Sequence, residues 1–295
     1  MSTQFTVANT NRAAGSQMDS GNFISEAYSK KLQVKFYKAT VMSGICNYDW
    51  EGEIKDNSSK VIIRVRPTIV INDWEVNGTI SYTDLVDAKI ELLIDRAKYF
   101  AFKLDDVDKS QTDINLINES SQDAAEQMKV AIDADVLGYS YPLAGTALPS
   151  TVVSATSVLD WLVDAGTALD EENVPESGRW AVLPPWVCGM IKKSDLKDAS
   201  LAGDGTSILR NGRMGMIDRF TIYNSNNLTL TGVPATGSYE CMAGTKDAIS
   251  FASQITKTET LRLETTFGDA MRGLNVYGRQ VTKPEALVHM PATKA

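Results

Sequence analysis

The chain changes its hydrophobic period across one short charged junction, Asp105-Asp106-Val107-Asp108-Lys109. Before it, Ile90, Leu92, Ile94, Phe100, Phe102 and Leu104 fall on every second position, the period of a half-buried strand, and a slip near Arg96 to Lys98 predicts a bulge. After it, Val107, Ile114, Ile117, Ala124, Met128 and Ala131 recur every three or four residues, or multiples of that spacing, until Gly138 offers a stop. The pattern predicts a helix over residues 105–137, roughly 45 to 50 Å long at about 1.5 Å per residue, which is longer than most globular domains need. Asp105 or Asp106 is its expected N-cap, with the carboxylates at the positive end of the helix dipole. A calcium loop is not expected here. Asp106, Asp108 and Ser110 alternate, but Gln111 stands where that loop needs glycine and Ile117 where it needs a bidentate Glu.

Around this junction the elements are mixed. Residues 1–21 are polar and small, and Phe23 to Met42 reads as a helix with Phe23, Ala27, Leu32, Phe36 and Ala39 on one face and Lys30, Lys31, Lys35 and Lys38 exposed. Strands are predicted at Lys60 to Arg66 and Thr68 to Trp74, with Asn77-Gly78 as a hairpin turn. These strands have few large apolar groups, so the hairpin is expected to pack on something beyond its own subunit. Tyr139 to Ser154, rich in small residues, Gly and Pro, is a predicted boundary. A second unit follows: a helix from Val158 interrupted near Gly166, a solvated loop at Asp170-Glu171-Glu172, a buried strand at Ala181 to Leu183, and a helix from Trp186 to Lys193 behind two prolines. Met216 to Tyr223 reads as a strand, Asn224 to Asn227 as a turn, and Thr258 to Val281 as strands with bends at Gly268, Gly273 and Gly278. No internal repeat is present, and the class is α+β.

Composition removes several functions. With 29 Lys plus Arg against 37 Asp plus Glu the net charge is −8, which argues against a general nucleic-acid binder, since phosphate neutralisation needs basic side chains. No apolar run approaches the roughly 18 to 20 residues that span a bilayer, so no membrane partner is expected, and residues 1–21 lack the apolar stretch of a secretory signal. Cys46, Cys188 and Cys241 are scattered without a CxxC pair, which suggests neither a zinc site nor a disulfide framework and suits a reducing compartment.

Catalytic signals are thin. Gly138-Tyr139-Ser140-Tyr141-Pro142 resembles a nucleophile elbow, but a helix precedes Ser140 where the elbow needs a strand. His289, the single histidine, sits near Pro291 in the tail and reads as a packing or surface residue, and Cys188 lies among Trp186, Val187, Met190 and Ile191 as a small buried apolar group. No Gly-Lys pair exists, so there is no Walker loop, and no cofactor or metal is expected. The sequons at Asn57, Asn77, Asn118 and Asn227 carry little without a secretory route.

Four stretches in order, FISEAYSKK (Phe23 to Lys31), KYFAFKLDDVDKSQ (Lys98 to Gln111), RWAVLPPWVCGMI (Arg179 to Ile191) and IDRFTIYNSNNL (Ile217 to Leu228), resemble the major capsid proteins of tailed double-stranded DNA bacteriophages, with the Hong Kong 97-type fold. The closing stretch Ala248 to Pro284, with AISFASQI, RGLNVYG and VTKP, supports the resemblance. The resemblance implies an N-terminal arm at 1–48, an extended β-hairpin loop at 49–88 reaching over a neighbouring subunit, a peripheral domain at 89–143 and 256–295 with its spine helix at 105–137, and an axial domain at 144–255. It implies self-assembly as hexamers and pentamers into an icosahedral shell in the host cytoplasm, ending in the virion, with packaged DNA enclosed without sequence-specific binding. The implied partners are a portal protein, a separate scaffolding protein and a decoration or cement protein.

Arms and hairpins with little private core order only when a partner buries them, because ordering costs about 1 to 2 kcal/mol per residue. Residues Val61 to Val76 are therefore expected to be mobile in a free subunit and ordered in a shell. Arg64, Arg66, Trp74 and Asp84 are the candidate inter-subunit contacts, although a solvated surface ion pair contributes only roughly 0 to 1 kcal/mol. Lys55 or Lys60 with Asn275 could form a crosslink of the kind some such shells use, but no motif singles them out. Two other readings are an encapsulin-like compartment, which shares the fold and encloses enzymes, and a soluble serine hydrolase using Ser140.

Overall fold

The computed structural model describes residues 37–51, 60–67, 69–74, 76, 78, 82, 84, 88–106, 116–194, 215–233, 237–264 and 266–294. Within them the alternating run before the charged junction forms two strands in different sheets, where one bulged strand was expected. β1 (Lys60–Val65) pairs antiparallel with β2 (Ala88–Leu93), setting Val61 opposite Leu92 and Ile63 opposite Ile90. The chain then breaks at Ile94-Asp95 and restarts as β3 (Arg96–Asp105). So the slip is a change of sheet. The partner of β1 is β2, and the described residues of 69–74 form no strand, so the expected hairpin turned at Asn77-Gly78 is replaced by a two-stranded ribbon with a long connection; Asn77 lies outside the described residues.

The remaining elements are α1 (Met42–Ile45), α2 (Leu116–Ser140), β4 (Thr146–Ala147), β5 (Thr151–Val153), α3 (Val158–Glu171), β6 (Arg179–Leu183), α4 (Pro185–Lys193), β7 (Met216–Ile217), β8 (Phe220–Asn224), β9 (Leu230–Thr231), β10 (Ser238–Thr245), β11 (Ile249–Arg262), β12 (Gly268–Val281) and β13 (Leu287–Lys294). β11, β12 and β3 make an antiparallel three-stranded sheet with β3 at one edge. A larger sheet runs β4-β13-β10-β6-β8-β7, with β5 added to β13 and β9 to β10. The class is α+β. β11 runs unbroken from Ile249 to Arg262, and β13 joins the larger sheet, so the carboxyl-terminal part of the chain contributes to both sheets.

α2 begins the described part of the long helix at Leu116; Asp105 closes β3, Asp106 is helical, and residues 107–115 lie outside the described residues. Gly138 does not stop α2, which continues to Ser140. Of the helix expected at Phe23 to Met42, residues 23–36 lie outside the described residues, and Tyr37 to Val41 are not helical. Val41, Ile45 and Cys46 instead enter the main core beside Ile132, Val136 and Leu137 of α2. That core continues through Trp161, Leu162 and Leu169 of α3, Trp180 to Leu183 of β6, Val187 and Ile191 of α4, and Met242 and Val288 of the larger sheet, and reaches Ile249, Phe251 and Tyr277 of the smaller one.

Two aspartates near the end of α2 tie these parts together. Asp133 is buried; its Oδ1 accepts the backbone N–H groups of Val41 and Met42, both at 2.9 Å, and its Oδ2 accepts Asn227 Nδ2 at 2.6 Å. Three donors replace the water that a buried carboxylate loses. Asp135, two residues further along the helix, accepts Tyr277 Oη at 2.8 Å and pairs with Arg279, whose guanidinium lies 4.5 Å from the centre of the Tyr139 ring.

Within the second unit, α3 passes through Gly166 without interruption and ends in a Schellman motif: Asn173 in the left-handed region (φ 57°) donates to Asp170 O, and Val174 to Leu169 O, each at 3.0 Å. A Cβ on Gly166 would lie 2.7 Å from Asp218 Oδ2, so the glycine marks a close approach. Asp170, expected in a solvated loop, closes α3 as the acceptor of two arginines. Arg179 Nη2 reaches its Oδ1 at 2.7 Å and Arg219 Nη2 its Oδ2 at 2.9 Å, which together hold the carboxyl below the usual range. Arg219 and Asp218 both have positive φ in the two-residue turn joining β7 to β8, a type I′ geometry without its usual glycine. The bends expected at Gly273 and Gly278 are also close approaches within a continuous β12: a Cβ would meet the Phe100 ring at 2.3 Å and the Leu93 carbonyl oxygen at 2.3 Å, respectively.

Arg179 has a fully buried side chain that also donates to the carbonyls of Pro175, Gly166 and Val174. Arg179→Ala therefore strips donors from a loop and a helix end at once and is expected to lower unfolding free energy by about 3 to 5 kcal/mol in denaturant titration. Arg219→Ala, at the exposed side of the same carboxylate, is expected to cost much less. Gly278→Ala should destabilise more than Gly273→Ala, since a backbone carbonyl opposes the first methyl and a rotatable ring the second.

Candidate assembly interface

The ribbon has a core of four buried residues, Val61, Ile63, Leu92 and Ala252, with Trp50 and Ile90 against them. Its remaining surface is open. Beyond Val65 the connection turns large apolar groups to solvent: Ile69, Val70, Trp74 and Val76 are exposed, and Ile71 and Tyr82 retain 93% of their accessible surface. Burying each such side chain yields about 1.5 to 3 kcal/mol, and single folded domains rarely leave that many together. Trp74, a predicted contact, is among them at 67% exposed. Arg64 and Arg66 stand exposed at the end of the ribbon and Asp84 in the connection; among the described residues none of the three has an ion-pair partner. Sequence reasoning singled out Trp74 and the charges but missed Ile69, Val70, Ile71 and Tyr82. The available signal was the run Ile69-Val70-Ile71, apolar on consecutive positions where a half-buried strand would alternate.

The smaller sheet also has unsatisfied faces. On its outer face Tyr99 is 80% exposed beside Leu274, and Phe267 at the β11–β12 turn is exposed too. Charges frame this face. Glu259 accepts from Lys257 and Arg272, which hold its carboxyl down to about 2. Arg262 binds Asp106 and Asp269, fastening the β11–β12 hairpin to the start of the helical segment. Asp106, expected as a cap, also anchors the hairpin; the amides it would cap lie outside the described residues. On the inner face a groove of about 550 Å³ opens between β3 and α2, lined by Phe100, Phe102, Leu104, Ala124, Met128 and Ala131.

The residues considered for catalysis are placed elsewhere. Ser140 is buried and donates its hydroxyl to Val136 O at 2.8 Å, the back-bond of a helical serine. His289 Nε2 lies 2.6 Å from Glu240 Oε2, with the Tyr141 ring 5.2 Å away between centroids. Cys188 is buried, and desolvation pushes its thiol up to about 11, against the thiolate a nucleophile needs. Asn227 is buried at the Asp133 clasp. Lys60 pairs with Glu91 at 2.9 Å, and Asn275 Oδ1 accepts Ser253 Oγ at 3.4 Å; Lys55 lies outside the described residues. Among the described residues no group of His, Cys, Asp and Glu could hold a metal ion, and no helix is long and apolar enough to cross a membrane.

Burial also raises the thiols of Cys46 and Cys241. A group whose folded pKa exceeds its unfolded one gives stability below the unfolded value and loses it above. The fold should therefore weaken as pH rises past about 9, and a maleimide at pH 8 should label none of the three cysteines until denaturant is added.

Comparison with known proteins adds an independent line. A family model described as phage capsid protein matches residues 90–290. No curated protein matches the sequence. Among solved structures, one from Mycobacterium phage Che8 is 28% identical over 91% of this chain and 97% of that chain, with a TM-score of 0.81. The capsid of Cyanophage P-SCSP1u is 14% identical over 96% of each chain, with a TM-score of 0.76, and the mature capsid of bacteriophage PhiM1 is 12% identical over 100% of this chain and 99% of that chain, with a TM-score of 0.73. The last two likenesses are of fold alone.

Proposed function

The chain belongs to the phage capsid protein family, and from that membership we infer that it is the major capsid protein of a tailed phage, a Hong Kong 97-type subunit repeated to build the virion's shell. The family match over residues 90–290 carries this reading, and it favours a phage shell over an encapsulin-like compartment. Function here is geometry. One subunit must offer surfaces that other copies cover, and the exposed connection between β1 and β2 supplies such a surface.

In the reading we propose, residues 49–88 form the extended loop, and Ile69, Val70, Ile71, Trp74, Val76 and Tyr82 settle on a neighbouring copy. Residues 1–48 serve as the arm, α2 as the spine of the peripheral domain, and the larger sheet with α3 and α4 as the axial domain. Hexamers and pentamers form around the axial domains and close an icosahedral shell over double-stranded DNA. The acidic net charge of −8 suits a wall that holds its packaged genome loosely. Arg64, Arg66 and Asp84 meet opposite charges on the neighbour, where exclusion of water strengthens pairs that are weak on a free surface. Portal, separate scaffolding and decoration proteins complete the assembly.

Light scattering and negative-stain microscopy of the purified chain, alone and with a candidate scaffold, test this reading; closed particles or rings of five or six subunits are expected, and a persistent monomer in both samples would count against it. The double variant Ile71→Asp, Trp74→Asp should keep the melting temperature of the free subunit within a few degrees, because both side chains are exposed there, yet reduce particle yield at least about tenfold. Amide exchange across Val61 to Val76 should slow on assembly; equal protection in both states would refute an inter-subunit role for this segment.

A further inference from the structure

The smaller sheet ends on β3, which pairs with β12 along one side and, among the described residues, with no strand along the other. An open edge of this length is a template for another strand. The groove beside α2 follows that edge, because it is lined by every residue from Lys98 to Leu104, whichever face of the sheet the side chain takes. Its floor is aromatic, with the Phe100 and Phe102 rings stacked at 6.3 Å between centroids. Its charge is basic. Lys98 and Lys103 have no ion-pair partner among the described residues, whereas the single acid of the lining, Asp123, already accepts from Tyr37 and Gln127.

The exposed β1–β2 connection has the complementary character. Residues 69–76 read IVINDWEV, with acids at Asp73 and Glu75 and no base. Ile69, Val70 and Ile71 are β-branched, yet in their own subunit they belong to no strand and face solvent. Apolar side chains on consecutive positions suit a strand that is covered on both faces. We propose that Ile69 to Trp74 of a second copy adds to the free edge of β3 as a fourth, antiparallel strand of the smaller sheet. This rests on the reading that the connection settles on a neighbouring copy, and it names where the connection lands. The lengths agree, at roughly 20 Å for Ile69 to Trp74 and roughly 23 Å for Lys98 to Leu104, with about 3.3 Å per residue. One register satisfies the chemistry. With Ile71 opposite Phe100, Ile69 falls opposite Phe102 and Asp73 opposite Lys98, while Val70 falls opposite Ala101 and Asn72 opposite Tyr99 on the other face. Run parallel from the same pair, Ile69 would meet Lys98 and Asp73 would meet Phe102. Main-chain hydrogen bonds to the edge supply affinity, and the alternate side chains supply the register. The sheet's other edge, β11, fits less well, because Asn47 and the ribbon meet it at Ser250 and Ala252 and its Glu259 would oppose an acidic strand.

The test uses particles assembled from the full-length chain carrying Asn72→Cys and Tyr99→Cys, both exposed positions, while the three native cysteines are buried. The control pair is Asn72→Cys with Leu274→Cys, which moves the second thiol one strand inward from Tyr99. Opposed side chains on paired strands lie about 4.5 to 5.5 Å apart between Cβ atoms, so mild oxidation should link chains at least about tenfold faster through position 99 than through 274. Non-reducing electrophoresis reads the linked chains. Equal or faster linkage through 274 would overturn the edge pairing and leave a neighbouring copy as the partner. A disulfide closed within one chain would overturn both, and no linkage at either position would overturn the edge pairing. Charge exchange is the second measurement. Lys98→Glu and Asp73→Lys should each cut particle yield about tenfold, and the two together should restore about half of it or more. A double variant as poor as the two losses combined would overturn the pairing of Asp73 with Lys98. Light scattering on the unsubstituted chain separates the two failures: if it forms no particles, the shell itself is refuted and this contact with it.

Discussion

The subunit is held together at the last turns of α2, where the apolar side chains of Ile132, Val136 and Leu137 enter the main core and two carboxylates reach out of it. Asp133 receives the backbone at Val41 and Met42 together with the Asn227 amide, and Asp135 receives Tyr277 and Arg279. A buried carboxylate is tolerated only when its lone pairs are matched, so its donors are fixed in place as firmly as it is. The amino-terminal segment, the larger sheet and the smaller sheet are oriented by what these two residues demand.

Away from that centre the apolar content is spread unevenly. The larger sheet with α3 and α4 is closed, its strand β6 buried at all five positions between β10 and β8. The ribbon of β1 and β2 buries three apolar residues against Ala252 of β11 and then presents Ile71, Trp74 and Tyr82 to solvent. The two halves of this pattern explain each other. A rigid body can hold an extension in one direction, and an extension with little private core gains its stabilisation by covering another surface. A shell built from one chain needs both.

Much of this was legible in the residues. The change from a two-residue to a three-and-a-half-residue period located β3 and the long helix, the prolines before Trp186 located α4, and the compact apolar run at Ala181 to Leu183 located a central strand. The errors share a cause. Gly138, Gly166, Gly273 and Gly278 were read as stops or bends, yet at Gly166, Gly273 and Gly278 the missing side chain makes room for Asp218, Phe100 and the Leu93 carbonyl, groups distant in sequence. Asp170 was read as solvated because nothing near it in the sequence announces Arg179 and Arg219 as its partners. The exposed apolar run at Ile69 to Ile71 was read as a strand, since a sequence shows hydrophobicity but not what covers it.

The sequence by itself determined the class, the switch from strand to long helix and the absence of a local catalytic or phosphate-binding motif, because periodicity, capping and turn chemistry act over a few residues. Only the tertiary structure decided that β1 pairs with β2 across the open connection, that the chain changes sheets at Ile94-Asp95, and that the carboxyl-terminal strands serve both sheets. Strand partners, buried ion pairs and close backbone approaches are set by contacts between residues far apart in the chain. Their energies depend on burial, and burial exists only once the fold is closed.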